Sequence, residues 1–536
     1  MTKVDATLDT ILLQIGEFGN YQKLVFGLFS IAVIFHSAVH IAFVFSAKDV
    51  NYRCEIPSCD NNGSTEFQPE WLGYAVPFYE QKPSKCERFS VLNSTANLEC
   101  KPEEFGTAVE KCDSYVFGEP EITIVQDFDL YCEDNVWKLT LIGTINNIGQ
   151  FVGLTISGLC SDRFGRRTVL VLGMLGTATC GIIRAFSPSY IFFAAFEFLD
   201  AAFGAGTYAC GFILGVELVG PSKRVLSGTI ICCCYAIGEI LVALVAWATQ
   251  SWRPLLLAIY IPPLLLISYF WITPESIRWL ISRGRIEEAQ IILRKAAKFN
   301  KKTISEDALE KLRIIEENKE EKVKDPIFLV FKSVPLLLRF INCCICWITC
   351  AFLFYGLTLN SVALNGNPYL DFILTSLVEI PAYLMTYFTV DRWGRRTSQF
   401  IWFLMTGVSC FTFIFTGTDY HWVQLTVYLL GKFGATAAFT VIYIITSEIF
   451  PTPLRHSLMG ACSMFGRIGS MVSPQMPLLS QIWKPLPLVL FGIMGTISAF
   501  LSLLFPETLN TKLPDTIEEA INIGKSTEEI PQIKNK

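Results

Sequence analysis

Six ionisable residues stand inside long apolar runs, where charge is expensive: Glu197, Asp200, Glu239, Glu379, Lys432 and Arg467. A charge kept in such a setting serves pairing or a polar pathway. Four acids and two bases around one space could hold a small ionic solute. Carboxylates attract an ammonium strongly at low dielectric, and a guanidinium such as Arg467 grips a carboxylate through two parallel hydrogen bonds. The alternative is internal pairing, with Arg467 bound to Glu379 or Glu239 and the helices merely tied together. Glu379 lies two residues before Pro381, and a proline-opened helix leaves backbone groups for a ligand or water. It suits a cavity acid and a partner of Arg467 equally.

Rings and imidazoles extend the set. His36 and His40 are four apart, hence on one helical face. They could sense protons or hydrogen-bond a polar solute, or simply pack. Aromatic faces hold a quaternary or protonated amine well, and Trp347, Phe354, Tyr355, Tyr208 and Tyr443 offer them. Trp347 and Phe354 stand two turns apart on one helix, a spacing that packing also explains. No phosphate loop, no nucleophile with a nearby base and no His at ligand spacing from Cys232–Cys234 or Cys343-Cys344-x-Cys346 is present. Neither an enzyme nor a cofactor or metal site is expected.

Residues of this kind need elements to position them, and the composition says which. The chain has 536 residues, 52% apolar and only 17% charged, with a mean hydropathy of +0.43. So much apolar surface cannot hide behind one watery face, so a polytopic membrane protein in a lipid bilayer is expected. A net charge of −5 without a basic patch gives no sign of nucleic acid. Residues 1–22 lack a short apolar core with a cleavage site, so the first span is expected to be its own insertion signal. Runs of about 20 apolar residues place twelve spans, with 24–46 first, 137–272 holding the second to sixth and 335–505 the seventh to twelfth.

A repeat ties the two sets together. Asp162-Arg163-Phe164-Gly165-Arg166-Arg167 recurs as Asp391-Arg392-Trp393-Gly394-Arg395-Arg396, and Glu217…Arg224 as Glu448…Arg455. Pro274-Glu275-Ser276 recurs as Pro506-Glu507-Thr508, and all three offsets lie between 229 and 232 residues. The arginines in these turns put them, and both termini (1–23 and 506–536), on the cytoplasmic side. A topogenic loop would need no more than that. The matching copies suggest in addition a gate of ion pairs between helices, formed by Asp162, Arg166, Glu217, Arg224 and Glu275 with Asp391, Arg395, Glu448, Arg455 and Glu507.

Residues 47–136 form one large polar segment between the first two spans, with eighteen Asp/Glu against seven Lys/Arg. It holds Cys54, Cys59, Cys86, Cys100, Cys112 and Cys132, which read as an oxidised framework with about 15 possible connectivities. Asn62 and Asn93 open glycosylation sequons, in keeping with an extracellular domain. Residues 273–334 form a cytoplasmic linker, where Ile286–Lys295 has the period of a surface helix.

Twelve spans in two related sets of six resemble the major facilitator superfamily. The large Cys-rich segment after the first span narrows this to the organic cation, anion and carnitine transporters, solute carrier family 22. So do Pro274-Glu275-Ser276-x-Arg278-Trp279-Leu280, Gly431-Lys432-Phe433-Gly434, Glu448-Ile449-Phe450-Pro451-Thr452 and Pro506-Glu507-Thr508…Leu513-Pro514-Asp515-Thr516. Sugar porters share the arginine turn but typically lack the big first segment. Thr436-Ala437-Ala438-Phe439 and Val378–Tyr383 look most like the carnitine branch. The resemblance implies an all-α membrane fold of two pseudo-symmetric six-helix bundles that carries small organic cations or zwitterions by alternating access across the plasma membrane, with a possible coupling ion. It also implies that Arg467 stands where cation carriers usually have Asp and anion or carnitine carriers Arg. The His36 and His40 positions are Asn in carnitine-type members, and those of Trp347, Phe354 and Tyr208 line the cavity. An organic anion carrier is the nearest alternative; a scaffold binding through 47–136 would have no use for buried charge.

Overall fold

The computed structural model describes residues 3–523 apart from 61–65, 80–81, 93–99, 318–332, 365, 417–420, 453, 512 and 515. Asn62 and Asn93 lie outside the described residues. Among the described residues, ten helices are long and apolar enough to cross a membrane: Asn20–Ser46, Glu133–Phe164, Arg166–Ala185, Tyr190–Glu217, Pro221–Thr249, Trp252–Ile272, Val334–Ala363, Pro368–Trp393, Arg395–Phe415 and His421–Ile449. Arg455–Val472 and Leu486–Ser502 complete the twelve, the former made less apolar by Arg467 and its serines and the latter shorter. They are numbered below as spans one to twelve.

The eighth span is not continuous. It divides into Pro368–Leu377 and Glu379–Trp393. Pro381 has no N–H to give the Leu377 carbonyl and its ring crowds that turn. Glu379 therefore opens the second segment, beside the break.

The duplicated motifs take up the same structure twice. Gly165 and Gly394 each end one helix and start the next, with φ of +100° and +84°. A Cβ at either would collide with the carboxylate of Glu275 or Glu507. Those carboxylates accept the free N–H groups of the following helix: Arg166 N and Arg167 N reach Glu275 Oε1 at 3.0 and 3.1 Å, and Arg395 N and Arg396 N reach Glu507 at 2.9 and 3.2 Å. An acid at that place satisfies orphan donors and complements the helix dipole. In both halves the adjoining hydroxyl, Ser276 or Thr508, donates to the acid ending span four or ten, Glu217 or Glu448.

The polar segment after span one is closed by three disulfides, Cys54–Cys112, Cys59–Cys100 and Cys86–Cys132, with Cα separations of 5.6, 5.9 and 5.7 Å. It is not purely helical but carries three two-stranded antiparallel ribbons. The other end of the bundle carries the arginine turns and more helix than a plain linker and terminus would supply. Lys3–Ile15, Ile286–Phe299 and Glu306–Glu317 pack there, and the Asn300 side chain ties the linker to Ile15 O and Gln22 Oε1 at 3.0 and 2.7 Å.

The two halves touch at the disulfide end and at mid-height. Thr140 Oγ1 meets Gln475 Oε1 at 3.1 Å, Gln475 Nε2 donates to Thr144 Oγ1 at 2.6 Å, and Tyr369 stacks on Phe45 and Trp247 at 5.7 and 6.0 Å. At the arginine end, the ion pairs of the described residues stay inside each half. Arg395 binds Glu448 and Asp391 at 3.0 and 2.8 Å, and Arg166 lies 3.5 Å from Asp162. Arg224 departs from the expected set, because the N-terminal helix brings Asp9 to it and to Arg278, the latter at 2.8 Å. Arg455 donates to Thr452 Oγ1 at 3.3 Å. The gate charges stand at helix ends or in the turns beside them, and the ion pairs of Arg166, Arg224 and Arg395 each stay within one half.

Candidate functional site

Between the halves at mid-height, three spans bring together Glu239, Glu379 and Lys432, each with no measurable exposure. Glu379 pairs with Lys432, Oε1 to Nζ at 2.7 Å, and its Oε2 accepts from Tyr383 at 3.1 Å. Lys432 also donates to Thr358 Oγ1 at 2.6 Å and to Phe354 O at 3.2 Å, with its ammonium 3.5 Å from the centre of the Phe354 ring. Glu239 comes from the other half and lies against Glu379 and Ser376. Neither of its oxygens has a hydrogen-bond partner. The sequence offered Arg467 as the base for Glu379; the structure gives Lys432 instead, because spans eight and ten pack side by side within one half.

Arg467 is left without an acid. No carboxylate of the described residues lies within ion-pair distance of it, and Nη1 donates to Gln150 Oε1 of span two at 3.1 Å. Its charge is felt by Tyr355, His36, His40 and Tyr443. His36 stacks on His40 at 5.9 Å and on Tyr208 at 6.3 Å, and His40 Nδ1 lies 2.7 Å from Tyr235 OH. Both imidazoles face this centre, as one helical face requires. They line a small cavity with Asn146, Gln150 and Thr177.

The rings form a wall on the other half. Trp347 meets Tyr443 edge-on at 4.4 Å and donates from Nε1 to Thr446 at 2.9 Å. Phe354 stacks on Phe439 at 5.5 Å, and Tyr355 reaches His40 at 6.0 Å across the divide. Trp347 and Phe354 are buried in this packing, whereas Tyr443 is 43% exposed although it faces Tyr355, Cys232 and Arg467. Exposure at that depth, opposite Cys232 of the other half, marks the wall of open space.

The count of four acids against two bases is incomplete. Arg184, fully buried at the end of span three, pairs with Glu197 and, at 3.2 Å, with Asp200, while Tyr260 donates to Asp200. That network continues through Asn146 Nδ2 to Glu197 at 2.7 Å and Gln150 Nε2 to Asn146 Oδ1 at 2.8 Å, ending on Arg467. Asn146, Asn147 and Gln150 at helical spacing in an apolar run were the legible signal for it; the inward turn of Arg184 had none. Among the described residues, no group of three or more potential ligands could hold a metal ion.

Comparisons with known proteins agree with this architecture. Residues 86–519 match the family model described as sugar (and other) transporter. The chain is 31% identical to an organic cation transporter protein of Drosophila melanogaster over 96% of this chain and 95% of that one. It is 32% identical to solute carrier family 22 member 3 of Mus musculus, over 97% and 96%. The organic cation/carnitine transporter 2 of Homo sapiens is 30% identical, over 96% and 94%. Among solved structures, a partially occluded inward-open form of the xylose transporter XylE from E. coli superposes with a TM-score of 0.61 at 17% identity, covering 92% of this chain and all of that one. At that identity the likeness shows the fold alone. With two repeated six-span halves, the disulfide-bonded segment after span one and relatives aligned from end to end, the chain belongs to solute carrier family 22, the organic cation transporter family, and is a multi-pass membrane transporter of the major facilitator fold.

Proposed function

We propose that this protein carries small organic cations or zwitterions, of the carnitine, betaine or β-amino-acid kind, across the plasma membrane by alternating access. The observation that carries the reading is the separation of charge at mid-height. A carboxylate pair, Glu239 and Glu379, stands on one side, and Arg467 stands without an acid on another, with Tyr208, Tyr355, Tyr443, His36 and His40 between them. Acids and ring faces suit an amine; a free guanidinium suits a carboxylate. Relatives include an organic cation transporter protein and an organic cation/carnitine transporter, which supports this class.

The positive-inside rule puts the arginine turns and both termini in the cytoplasm and the disulfide-bonded domain outside. With the halves joined at the disulfide end and their charges paired separately at the other, the conformation is inward-facing. Rocking the halves about the central site would part the contacts of Gln475 and Tyr369 and bring the arginine turns together. An organic anion carrier is the second reading, favoured by Arg467 having no acidic partner. Uptake of labelled tetraethylammonium, carnitine and a dicarboxylate into cells expressing the full chain separates the two. Uptake of the first two is expected, and preference for the dicarboxylate would overturn the cation reading.

A further inference from the structure

Glu239 poses a charge problem that the substrate reading alone does not solve. Two carboxylates and one ammonium, Glu239, Glu379 and Lys432, share a site with no exposure to water. Lys432 is already engaged by Glu379, Thr358 and the Phe354 carbonyl. The other titratable groups facing Glu239 are phenols: Tyr235 on its own span, Tyr355 on span seven and Tyr383 on span eight. Arg467 bears on Tyr355, and His40 is bonded to Tyr235. Ser376 of span eight, fully buried, sets its hydroxyl beside Glu239 as well. Two carboxylates in contact cannot both stay ionised in such a place; one takes a proton or a cation comes between them.

We propose that the Glu239–Glu379 pair is the binding site of a coupled proton, exchanged one for one against the cationic group of the substrate. This rests on the cation or zwitterion reading above. Glu239 belongs to one half and Glu379 and Ser376 to the other, so the pair is made when the disulfide end closes and broken when it opens. About ten residues, or roughly 15 Å of helix, separate each acid from that end. With no substrate present, closure requires Glu239 as the neutral acid, its O–H facing Glu379 or Ser376. When the substrate's ammonium enters, the O–H bond breaks, the proton leaves to water and the ammonium supplies the same single positive charge. Proton and cation then exclude each other, and by linkage each weakens the other equally.

The first test uses purified full-length protein in weakly buffered detergent with a pH indicator, with tetraethylammonium and carnitine as probes. About one proton is expected to leave per probe bound, and E239Q is expected to release almost none. Gln copies the neutral form, and E239D keeps an acid and should keep the release. In proteoliposomes with the potential clamped at zero, an inside-acid gradient of about one pH unit should drive accumulation of the probe up to about tenfold, the limit for one-for-one exchange. E239Q should lose the gradient response, whereas E239D should keep it. The proposal is overturned by wild-type accumulation indifferent to the pH gradient, by a Na⁺ gradient acting in its place, or by E239Q still following the proton gradient. Absence of counterflow with both probes in wild type would remove the transport reading and this proposal with it. If neither variant is monodisperse, proton release by the wild type decides alone.

Discussion

Replacing Arg467 by Gln tests the division of labour at the centre most directly. In the structure its guanidinium has no acidic partner among the described residues; it donates to Gln150, which keeps its own bond to Asn146 at 2.8 Å, and lies against the Tyr355 hydroxyl. Removing it strands no buried carboxylate, so the fold should lose only about 1–2 kcal/mol, the worth of one or two hydrogen bonds. A substrate carboxylate, by contrast, would lose a charge-assisted bond worth about 1.5–3 kcal/mol. That predicts roughly 10- to 150-fold weaker binding of carnitine-like zwitterions. Tetraethylammonium has no carboxylate and should bind unchanged or somewhat better, because a nearby positive charge is gone. Arg467→Lys keeps the charge without the fork and should fall between. Inhibition of labelled tetraethylammonium uptake by unlabelled carnitine and by unlabelled tetraethylammonium, in wild type and both variants, supplies the comparison. Equal loss for both competitors would show that Arg467 holds the halves together rather than reading a carboxylate, and the reasoning fails.

Arg184→Met should lower the midpoint of thermal denaturation in detergent sharply, by a destabilisation of about 3–5 kcal/mol, because it leaves Glu197 and Asp200 buried without their base; adding Glu197→Gln and Asp200→Asn should restore most of it, and a stable Arg184→Met would refute the pairing. Gly394→Ala should destabilise more than Gly16→Ala in the same measurement, since both lie at positive φ, about 1–3 kcal/mol of strain each, but only at Gly394 does the new methyl strike Glu507 and dislodge it from Arg395 N and Arg396 N; equal effects would deny Glu507 its capping role.

Much of the architecture was legible along the chain because its causes are local. Apolar runs of span length need no partner to be recognised, and the arginine turn repeats within 229 to 232 residues because both copies solve the same problem, a glycine at positive φ between two helices with an acid over the next N-terminus. The break in span eight was legible for the same reason, since proline acts on its own turn. Six cysteines announced three disulfides but not which, as pairing depends on how the strands of the domain meet. Asp9 offered no signal, because its value lies in reaching Arg224 and Arg278 from a helix distant in sequence.

The central site divides along the same line. From the sequence came its inventory, namely Glu239, Glu379, Lys432, Arg467, the two histidines and the rings, because charge inside an apolar run stands out whatever surrounds it. Tertiary structure decided the partners. The rotation of each span about its axis, set by packing, gave Glu379 to Lys432, turned Arg184 onto Glu197 and Asp200, and left Arg467 on an amide. Only the meeting of the two halves could set Glu239 against Glu379, since no rule of spacing within one helix reaches a residue 140 positions away on the opposite bundle.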